Sequence, residues 1–293
     1  MPTDVAAAER FILSSARLLD RHRAAVLLHG APATPVLDAL RAYRNPDGGF
    51  GHALEPDVRG PGSEPTAALH ALEVLAGVDA LDDPMVDGVH RWVATVALPD
   101  GGVPFVVPAT AASPHAPWMV PSDGGSHLTF ALAGLLLEAG TGGEPWRDRG
   151  VAWCWDRLEG DEPLPAYSVK FALGFLDRVP EEDEARARAS IEALRPRIGA
   201  DGTIAVEGGT EDERLRPLTL SAQPGARGRA LFTAAQIEED LDRLEADQQD
   251  DGGWTFDWLA WSAGQENEWR GTLTLLALTT LAAHGRIAVP LGG

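Results

Sequence analysis

Hydrophobic residues recur at intervals of three and four positions along most of the chain, which is the spacing typical of amphipathic helices. The alternation typical of strands is weak, and its best candidate is a short apolar run over residues 103–107. Residues 201–230 show no clear period and are predicted to form a long loop with one irregular helix. The pattern predicts helices over roughly residues 4–20, 34–44, 64–76, 83–97, 126–139, 145–158, 164–177, 183–197, 234–248 and 268–284.

Most of these predicted helices belong to two kinds that alternate along the chain. Helices of the first kind are apolar nearly all round, which means that they are buried on every side, whereas the others carry charges on one face. An inner ring of buried helices inside an outer ring of amphipathic ones satisfies both patterns. The sequence therefore predicts an all-α fold, an α/α toroid or barrel of about five to six helical hairpins, formed as a single domain over residues 1–293. The predicted inner helices are 64–76, 126–139, 164–177 and 268–284.

A four-residue phrase that begins with Asp and Gly recurs with a period of about 50 residues, which indicates an array of similar units. Each copy follows a predicted outer helix. Glycine supplies the positive φ that ends a helix and turns the chain, and aspartate caps such a turn by accepting hydrogen bonds from backbone amides. The repeated aspartates are therefore predicted to be structural. The copies are Asp47-Gly48-Gly49-Phe50, Asp100-Gly101-Gly102-Val103, Asp201-Gly202-Thr203-Ile204 and Asp251-Gly252-Gly253-Trp254.

The last copy of this phrase is part of a longer motif. Gln248, Gly252 and Trp254 fit the Gln-x3-Gly-x-Trp repeat of the squalene–hopene cyclase and protein prenyltransferase β-subunit superfamily, which the chain resembles over most of its length as a pattern of turns. The resemblance implies a terpenoid cyclase-like α/α toroid and an isoprenoid-processing activity, with acid-initiated cyclisation in an aromatic-lined cavity as the reaction. Degenerate copies stand at Arg44-x3-Gly48-x-Phe50, Ala97-x3-Gly101-x-Val103 and Ile198-x3-Gly202-x-Ile204.

Two motifs of that superfamily have no counterpart in this sequence. The Asp-x-Asp-Asp motif of cyclases that start by protonation is missing, and Trp269 and Arg270 stand where prenyltransferases place a zinc-binding histidine. Cys154 lacks a nearby Asp-x-Cys partner. Residues 82–87 resemble the acidic magnesium motif of ionisation-type terpene synthases, yet a helix cap already accounts for Asp83. No metal site and no cofactor are predicted, with magnesium left as an open alternative.

The composition limits the partners and the compartment. A formal net charge of −20 repels nucleic acid and anionic membranes, so neither is expected to bind. The single cysteine excludes an internal disulfide and a zinc site made of thiolates. No apolar run is long enough to span a membrane and no leader is evident, which predicts a soluble cytoplasmic protein without stable membrane insertion. The expected partner is a small apolar or isoprenoid substrate, and no oligomeric state is indicated.

The densest group of candidate site residues leads into the last predicted inner helix, at the mouth of the predicted barrel. An aromatic-lined cavity with one carboxylic acid suits carbocation chemistry, because ring faces stabilise a cation and an apolar cage raises the pKa of the acid. Asp257 is the candidate acid, and Arg270 would orient it or meet an anionic substrate group. The alternative is that the aromatic residues pack the barrel end while Asp257 bonds to backbone amides. The candidate substrate-binding tryptophans are Trp254, Trp258, Trp261 and Trp269.

Further polar groups lie near the starts of two other inner helices and are expected to reach the same barrel mouth. One contains Asp123 and His127, and the other contains His70. They are predicted to line the pocket together with Tyr167 and Lys170 from a third inner helix. Helix N-termini at this mouth favour an anionic ligand. The same groups also include His52, Glu55, Asp57, Glu64, Trp118 and Ser126.

The sequence leaves three classes of function open. An isoprenoid-processing enzyme, either a cyclase or a prenyl transfer enzyme, would need a deep apolar cavity that is closed to water. A carbohydrate-active enzyme that processes glycosides on an α/α barrel would need two facing carboxylates and an open groove lined by tryptophan. A non-catalytic binding or scaffold protein of the same fold would have a filled barrel. The carboxylates to compare for glycoside chemistry are Asp57, Asp123, Asp257 and Glu266.

Overall fold

The computed structural model of the chain describes residues 3–121, 123–141, 146–211 and 213–289. The chain divides into two compact units. The first unit is formed by Met1–Ala42 with Ala200–Gly293, and the second by Tyr43–Gly199. The first unit therefore joins the two ends of the sequence, and the second contains its middle. The single domain over residues 1–293 stays a prediction.

Helices dominate both units. The described residues contain twelve α-helices, several short 3₁₀ helices and one antiparallel hairpin that pairs β1, Ile204–Ala205, with β2, Arg214–Leu215. This composition confirms the predicted all-α class. None of the helices in the described ranges has the length and apolar character needed to cross a bilayer. The α-helices are α1 Val5–Ser15, α2 Leu18–His29, α3 Thr34–Arg41, α4 Pro65–Ala76, α5 Met85–Val96, α6 Leu128–Glu138, α7 Arg147–Glu159, α8 Ala166–Leu176, α9 Glu184–Leu194, α10 Pro217–Leu220, α11 Ala234–Ala246 and α12 Ala263–Ala283.

The second unit is built around α6, which packs against α4, α7 and α8. Most residues of α4 and α6 are buried, as predicted for helices that are apolar all round. Phe130, Leu132 and Phe175 are fully buried in this core. In contrast, α5, α7 and α9 bury one face and expose charged residues on the other. The alternation of buried and amphipathic helices in this unit follows the pattern of the sequence.

The core of the first unit lies among α1, α2, α11 and α12. Phe11 and Ile12 of α1 belong to the same buried cluster as Leu278 and Leu281 of α12. Trp254 joins this cluster from the segment before α12. Each of these large side chains contributes roughly 1.5–3 kcal/mol when it is fully buried. The packing of α1 on α12 therefore depends on residues from opposite ends of the sequence.

The repeated Asp-Gly turns have the predicted geometry. Gly48, Gly101 and Gly252 have φ values of 93°, 95° and 93°, in the region that favours glycine. In each of these turns the aspartate carboxylate accepts a hydrogen bond from the backbone amide two residues later. Asp100 Oδ1, for example, accepts from Gly102 N at 2.9 Å. The predicted positive φ values are confirmed, and the aspartates have the structural role that the sequence indicates.

Each of these glycines also lies against the backbone of another helix in its own unit. A Cβ atom at Gly101 would be 2.5 Å from the carbonyl oxygen of Arg149 in α7, so a larger residue does not fit without movement of the backbone. The glycine therefore fixes both the turn and the distance between the turn and the helix. Equivalent contacts join Gly48 to Gly88 in α5 and Gly252 to Ala7 in α1.

The prediction of one helix over residues 4–20 is wrong. The chain is extended at Ala16, and a second helix, α2, then continues to His29. Ala16 lies against Gly271 of α12, and Arg21 Nε donates to the carbonyl oxygen of Ala16 at 2.9 Å. Contacts with residues distant in sequence and with a neighbouring side chain therefore hold the break, which local periodicity does not reveal.

The last inner helix begins earlier than predicted. α12 starts at Ala263 because Ser262 caps it, with Ser262 Oγ accepting from Gln265 N at 3.2 Å. The first turns of α12 are polar, so a hydrophobic pattern does not reveal them. Residues 103–107, the best candidate for a strand, form none. Residues 201–230 contain the short helix α10, where one irregular helix was predicted, and also the β1–β2 hairpin, which was not predicted.

Candidate functional site

A strained loop in the second unit leads to two buried carboxylates. His52 and Ala53 both have left-handed backbone conformations, with φ values of 56° and 61°, and such a conformation costs a non-glycine residue about 1–2 kcal/mol. Residues of this kind persist only where surrounding contacts fix them, and they are concentrated at functional sites. The loop places Glu55 and Asp57 in the interior, where they are 5% and 4% exposed.

Glu55, His70 and Glu73 form a hydrogen-bonded line, termed the relay. His70 Nε2 donates to Glu55 Oε2 at 3.0 Å, and His70 Nδ1 donates to Glu73 Oε2 at 3.2 Å. Burial favours the neutral imidazole, but the two carboxylates outweigh this effect and raise the pKa of His70 to about 10. His70 is therefore an imidazolium at neutral pH, and the relay contains one positive charge between two negative ones.

Four half-buried rings, those of Phe105, His127, Tyr167 and Phe171, lie together at the starts of α6 and α8 and are termed the aromatic cluster. His127 stacks on Phe171, with ring centroids 5.2 Å apart and ring planes 6° from parallel. The His127 centroid is 5.1 Å from that of Phe105 and 6.0 Å from that of Tyr167. Because the four side chains are only half-buried, part of their surface is open to a ligand.

The histidine of the aromatic cluster is neutral, and a lysine lies against the rings of the cluster. Burial, together with the positive charge of Lys170, lowers the pKa of His127 to about 4, so His127 accepts rather than carries a proton at neutral pH. Burial lowers the pKa of Lys170, and the attraction of Glu73 opposes this change. Lys170 Nζ lies 5.0 Å from the centroid of the Phe171 ring. Glu73 of the relay therefore attracts Lys170, which lies against the rings of the aromatic cluster. A carboxylate, an amine and a neutral imidazole are thus present near apolar rings.

A cavity of about 400 Å³ beside the N-terminus of α4 contains another buried carboxyl group, that of Glu64. Trp92 and three valines contribute its apolar wall. Burial raises the pKa of Glu64, while hydrogen bonds from Thr110 Oγ1 at 2.6 Å and Val107 N at 3.2 Å act in the opposite direction. Both carboxyl oxygens of Glu64 accept hydrogen bonds, so Glu64 holds the segment around Thr110 against the start of α4.

Two of the predicted site residues have clear structural contacts in the first unit. Trp254 is 3% exposed, and its indole Nε1 donates to the carbonyl oxygen of Leu244 at 2.8 Å. Arg270 forms a two-point ion pair with Asp251, with both distances 2.8 Å, and so stabilises the last Asp-Gly turn. Participation of Trp254 and Arg270 in substrate binding stays a prediction.

The other predicted residues of the first unit lie around the start of α12. Trp258 packs edge-on against Trp269 with ring centroids 5.6 Å apart, and it stacks on Phe256 at 4.4 Å. Trp261 is half-buried. Asp257, the predicted acid, lies in the same segment and is exposed. Catalysis by Asp257 and substrate binding by these tryptophans stay predictions.

In the second unit the structure brings together several residues that the sequence places in the site. His127 and Tyr167 belong to the aromatic cluster, and His70 is the centre of the relay. Asp123 lies in the segment before α6 and is exposed. Their meeting with the first-unit tryptophans in one pocket stays a prediction.

Sequence reasoning missed three residues of this site. Glu73 follows His70 by three positions, and Phe171 follows Tyr167 by four, so helical spacing offers a signal for both. Phe105 lies in an irregular segment, where no spacing rule connects it to the start of α6. The aromatic cluster is therefore only partly visible from sequence.

The carboxylates considered for glycoside chemistry occupy different surroundings. Asp57 is buried, and Trp118 Nε1 donates to its Oδ2 at 3.3 Å. Asp123, Asp257 and Glu266 are exposed, and the last two belong to the first unit. A glycoside-processing enzyme stays a hypothesis that these positions do not favour.

The side chains that could bind a metal ion are scattered in the described parts of the chain. Within the described ranges, no group of three or more His, Cys, Asp or Glu side chains is arranged to hold a metal ion. Cys154 is buried, and burial raises the pKa of its thiol. Independence from cofactors stays a prediction.

Comparison with known proteins finds structural similarity at low sequence identity. No protein-family model matches the chain, and no curated protein matches it. A protein from Actinoplanes is 19% identical, with a TM-score of 0.58 over 95% of this chain and 99% of that chain. A variant of the type II terpene cyclase MstE from Scytonema, in complex with its substrate geranylgeranyl dihydroxybenzoate, is 16% identical, with a TM-score of 0.51 over 97% of this chain and 87% of that chain. Another MstE variant, in complex with the product merosterolic acid A, is 16% identical, with a TM-score of 0.52 over the same shares.

At these identities the likeness shows the fold alone. Together with the observed helices it confirms the predicted fold class, an all-α fold of the α/α toroid type that is shared with a terpene cyclase. Activity and substrate must be argued from the residues of this chain.

Proposed function

We propose that this protein is an isoprenoid-processing enzyme that resembles terpenoid cyclases and starts its reaction by protonation. The observation that carries the proposal is the relay standing beside the half-buried aromatic cluster on α4, α6 and α8. The shared fold supports it, because similar structures hold geranylgeranyl dihydroxybenzoate as substrate and merosterolic acid A as product.

The aromatic cluster suits a substrate that becomes positively charged. A cation over an aromatic ring is stabilised by about 0.5–2 kcal/mol, with the larger values in surroundings without water. Phe105, Tyr167 and Phe171 supply three such rings, and neutral His127 adds no positive charge to that of Lys170. An apolar isoprenoid chain would also gain free energy by covering these rings.

Glu73 is the proposed proton donor. Glu73 is ionised in the resting relay and would first take a proton from solvent. His70 Nδ1 lies 3.2 Å from Glu73 Oε2, and the positive charge of His70 would stabilise the carboxylate that forms again when this proton passes to the substrate. Glu73 is 44% exposed, so solvent can return the proton after each cycle. Glu55 holds the opposite side of the imidazolium and keeps the ring in place.

The proposed reaction conserves all atoms of the substrate. The proton from Glu73 forms a C–H bond with the electron pair of a terminal double bond, and the neighbouring carbon becomes a cation. A second double bond attacks that carbon and closes a ring. His127 then removes a proton from the final cation, whose C–H bonds are acidic enough for a weak base, and a new double bond forms. The product is therefore an isomer of the substrate.

Replacement of Glu73 by glutamine should abolish this isomerisation, because the amide keeps the shape of the side chain but has no acidic proton. Loss of a general acid typically lowers the rate by a factor of roughly 10²–10⁴. The test incubates wild-type protein, Glu73→Gln and Asp257→Asn with geranylgeranyl dihydroxybenzoate and separates products of unchanged mass by chromatography and mass spectrometry. The proposal predicts an isomer from the wild-type protein and Asp257→Asn, and little or none from Glu73→Gln.

Two results of this assay would overturn the proposal. Loss of product in Asp257→Asn, with full conversion by Glu73→Gln, would assign the acid to Asp257. If the wild-type protein forms no isomer from this compound or from linear isoprenoid alcohols, the proposed cyclase activity is wrong. A non-catalytic function of the same fold is then favoured. Melting temperatures of both variants within a few degrees of wild type would show that the comparison concerns chemistry rather than folding.

A further inference from the structure

Lys170 is the one lysine in a chain of 293 residues, among 24 lysine and arginine side chains in total. Arginine stays protonated at all accessible pH values, whereas a lysine in apolar surroundings can lose its proton and become a nucleophile. The chain therefore has a side-chain primary amine at a single position. That position lies in the aromatic cluster and not on an exposed helix face.

The surroundings of Lys170 differ from those of arginines that form ion pairs. Its Nζ lies 5.0 Å from the ring centroid of Phe171 and 5.9 Å from that of Tyr167, and the side chain is half-buried. No carboxylate of the described residues forms an ion pair with it, and Glu73 acts on it only through a longer-range attraction. By contrast, Arg178 and Arg186 each bind a glutamate at 2.6 Å. An amine beside rings and without an ion pair has its nitrogen available to a ligand.

We propose that Lys170 is an amine nucleophile that forms an imine with an apolar or aromatic aldehyde held against the aromatic cluster. The rings would bind the apolar part of the aldehyde and bring its carbonyl carbon to Nζ. This activity goes beyond the proposed cyclisation, since it requires neither proton donation by Glu73 nor an isoprenoid chain.

The step balances without an added reactant. The lone pair of neutral Nζ forms a bond to the carbonyl carbon, the carbonyl π bond breaks, and the oxygen takes a proton to give a carbinolamine. Loss of that oxygen as water then gives the C=N bond. His127, neutral and close enough to feel the charge of Lys170, can carry the proton from nitrogen to the departing hydroxyl. Burial lowers the pKa of Lys170 and so increases the neutral fraction.

Several charged and titratable groups face this amine. Glu73 acts on it from α4, His127 lies close to it at the start of α6, and Tyr167 approaches from α8 itself. Glu73 favours the ammonium form of Lys170, whereas burial favours the neutral amine. Burial is the larger of the two effects, so the pKa of Lys170 is lowered.

Trapping with benzaldehyde and cyanoborohydride tests this proposal, because reduction converts an imine into a stable N-benzyl amine. Peptide mapping by mass spectrometry locates the label. The matched control combines Lys170→Arg with Arg188→Lys, which moves the single lysine to a position that is 75% exposed. At neutral pH we expect Lys170 to be labelled roughly tenfold faster than the exposed lysine, because the rings hold benzaldehyde against Nζ; this ratio corresponds to about 1.4 kcal/mol.

Glyoxylate provides the second arm of the experiment, since it is an aldehyde without an apolar part. The proposal predicts that the advantage of Lys170 is clearly larger with benzaldehyde than with glyoxylate, because only benzaldehyde has an apolar part that the rings can bind. Equal or slower labelling of Lys170 with benzaldehyde, relative to the exposed lysine, would overturn it. An equal advantage with both aldehydes would also overturn it, because binding against the rings would then have no part in the reaction.

Discussion

Replacing His70 with alanine is expected to lower the free energy of unfolding by roughly 3–5 kcal/mol, the usual cost of removing one partner of a buried ion pair. Glu55 is 5% exposed, and its Oε2 accepts from His70 Nε2 at 3.0 Å, so the substitution leaves a carboxylate in the interior without its cation. Urea unfolding at neutral pH measures the loss. The matched control is His29→Ala, which removes an exposed pair with Glu9 and should cost less than about 1 kcal/mol. Equal losses in the two variants would contradict the buried relay.

The same residue should make stability sensitive to alkali. The folded pKa of His70, about 10, lies above its ordinary value of 6.5, so its contribution is complete below pH 6.5 and is lost as the pH rises through about 10. We expect His70→Gln to lack this alkaline loss, because glutamine donates a hydrogen bond to Glu55 but does not titrate in this range. Unfolding curves at several pH values in this window give the comparison. An unchanged pH dependence in His70→Gln would show that another group is responsible.

Replacing Gly101 with alanine is expected to destabilise the protein by roughly 3 kcal/mol, from a left-handed backbone penalty of about 1–2 kcal/mol and a steric term of similar size. Its φ is 95°, and the new Cβ would lie 2.5 Å from the carbonyl oxygen of Arg149. The control is Gly30→Ala, where φ is 62° and no atom lies within 4 Å of the added Cβ. In Gly30→Ala the free energy of unfolding should therefore fall only by the left-handed backbone penalty. Equal losses in urea unfolding would mean that the close approach to α7 does not matter.

Much of the fold was predictable because its signals are local. The Asp100 carboxylate bonds to a backbone amide two residues away, and the positive φ of Gly101 depends on the same short turn. The all-round apolar character of α6 likewise follows from its own residues. The break at Ala16 could not be found in this way, because a contact with the distant Gly271 helps to determine it. The start of α12 does have a local serine cap, but its polar first turns show no hydrophobic pattern.

The site was less predictable because its groups meet through the fold. His70, His127 and Tyr167 were expected near one another, but Glu73, which bonds to His70 and attracts Lys170, was not among the expected residues. Periodicity marks Glu73 only as one polar position in a buried helix. The burial of Glu55 depends on a loop whose backbone is left-handed at two non-glycine residues, and no propensity rule gives that conformation. The charge and the burial of individual side chains could therefore be determined only from the structure.

Binding of geranylgeranyl dihydroxybenzoate, measured by titration calorimetry, tests most directly whether the aromatic cluster is a site for isoprenoid ligands. The variants are Phe171→Ala, which removes the ring stacked on His127, and Trp258→Ala, which removes a half-buried ring of the first unit. We expect binding to the wild-type protein, a loss of roughly tenfold or more in affinity for Phe171→Ala, equivalent to about 1.4 kcal/mol, and little change for Trp258→Ala. Unchanged affinity in Phe171→Ala with a large loss in Trp258→Ala would contradict it.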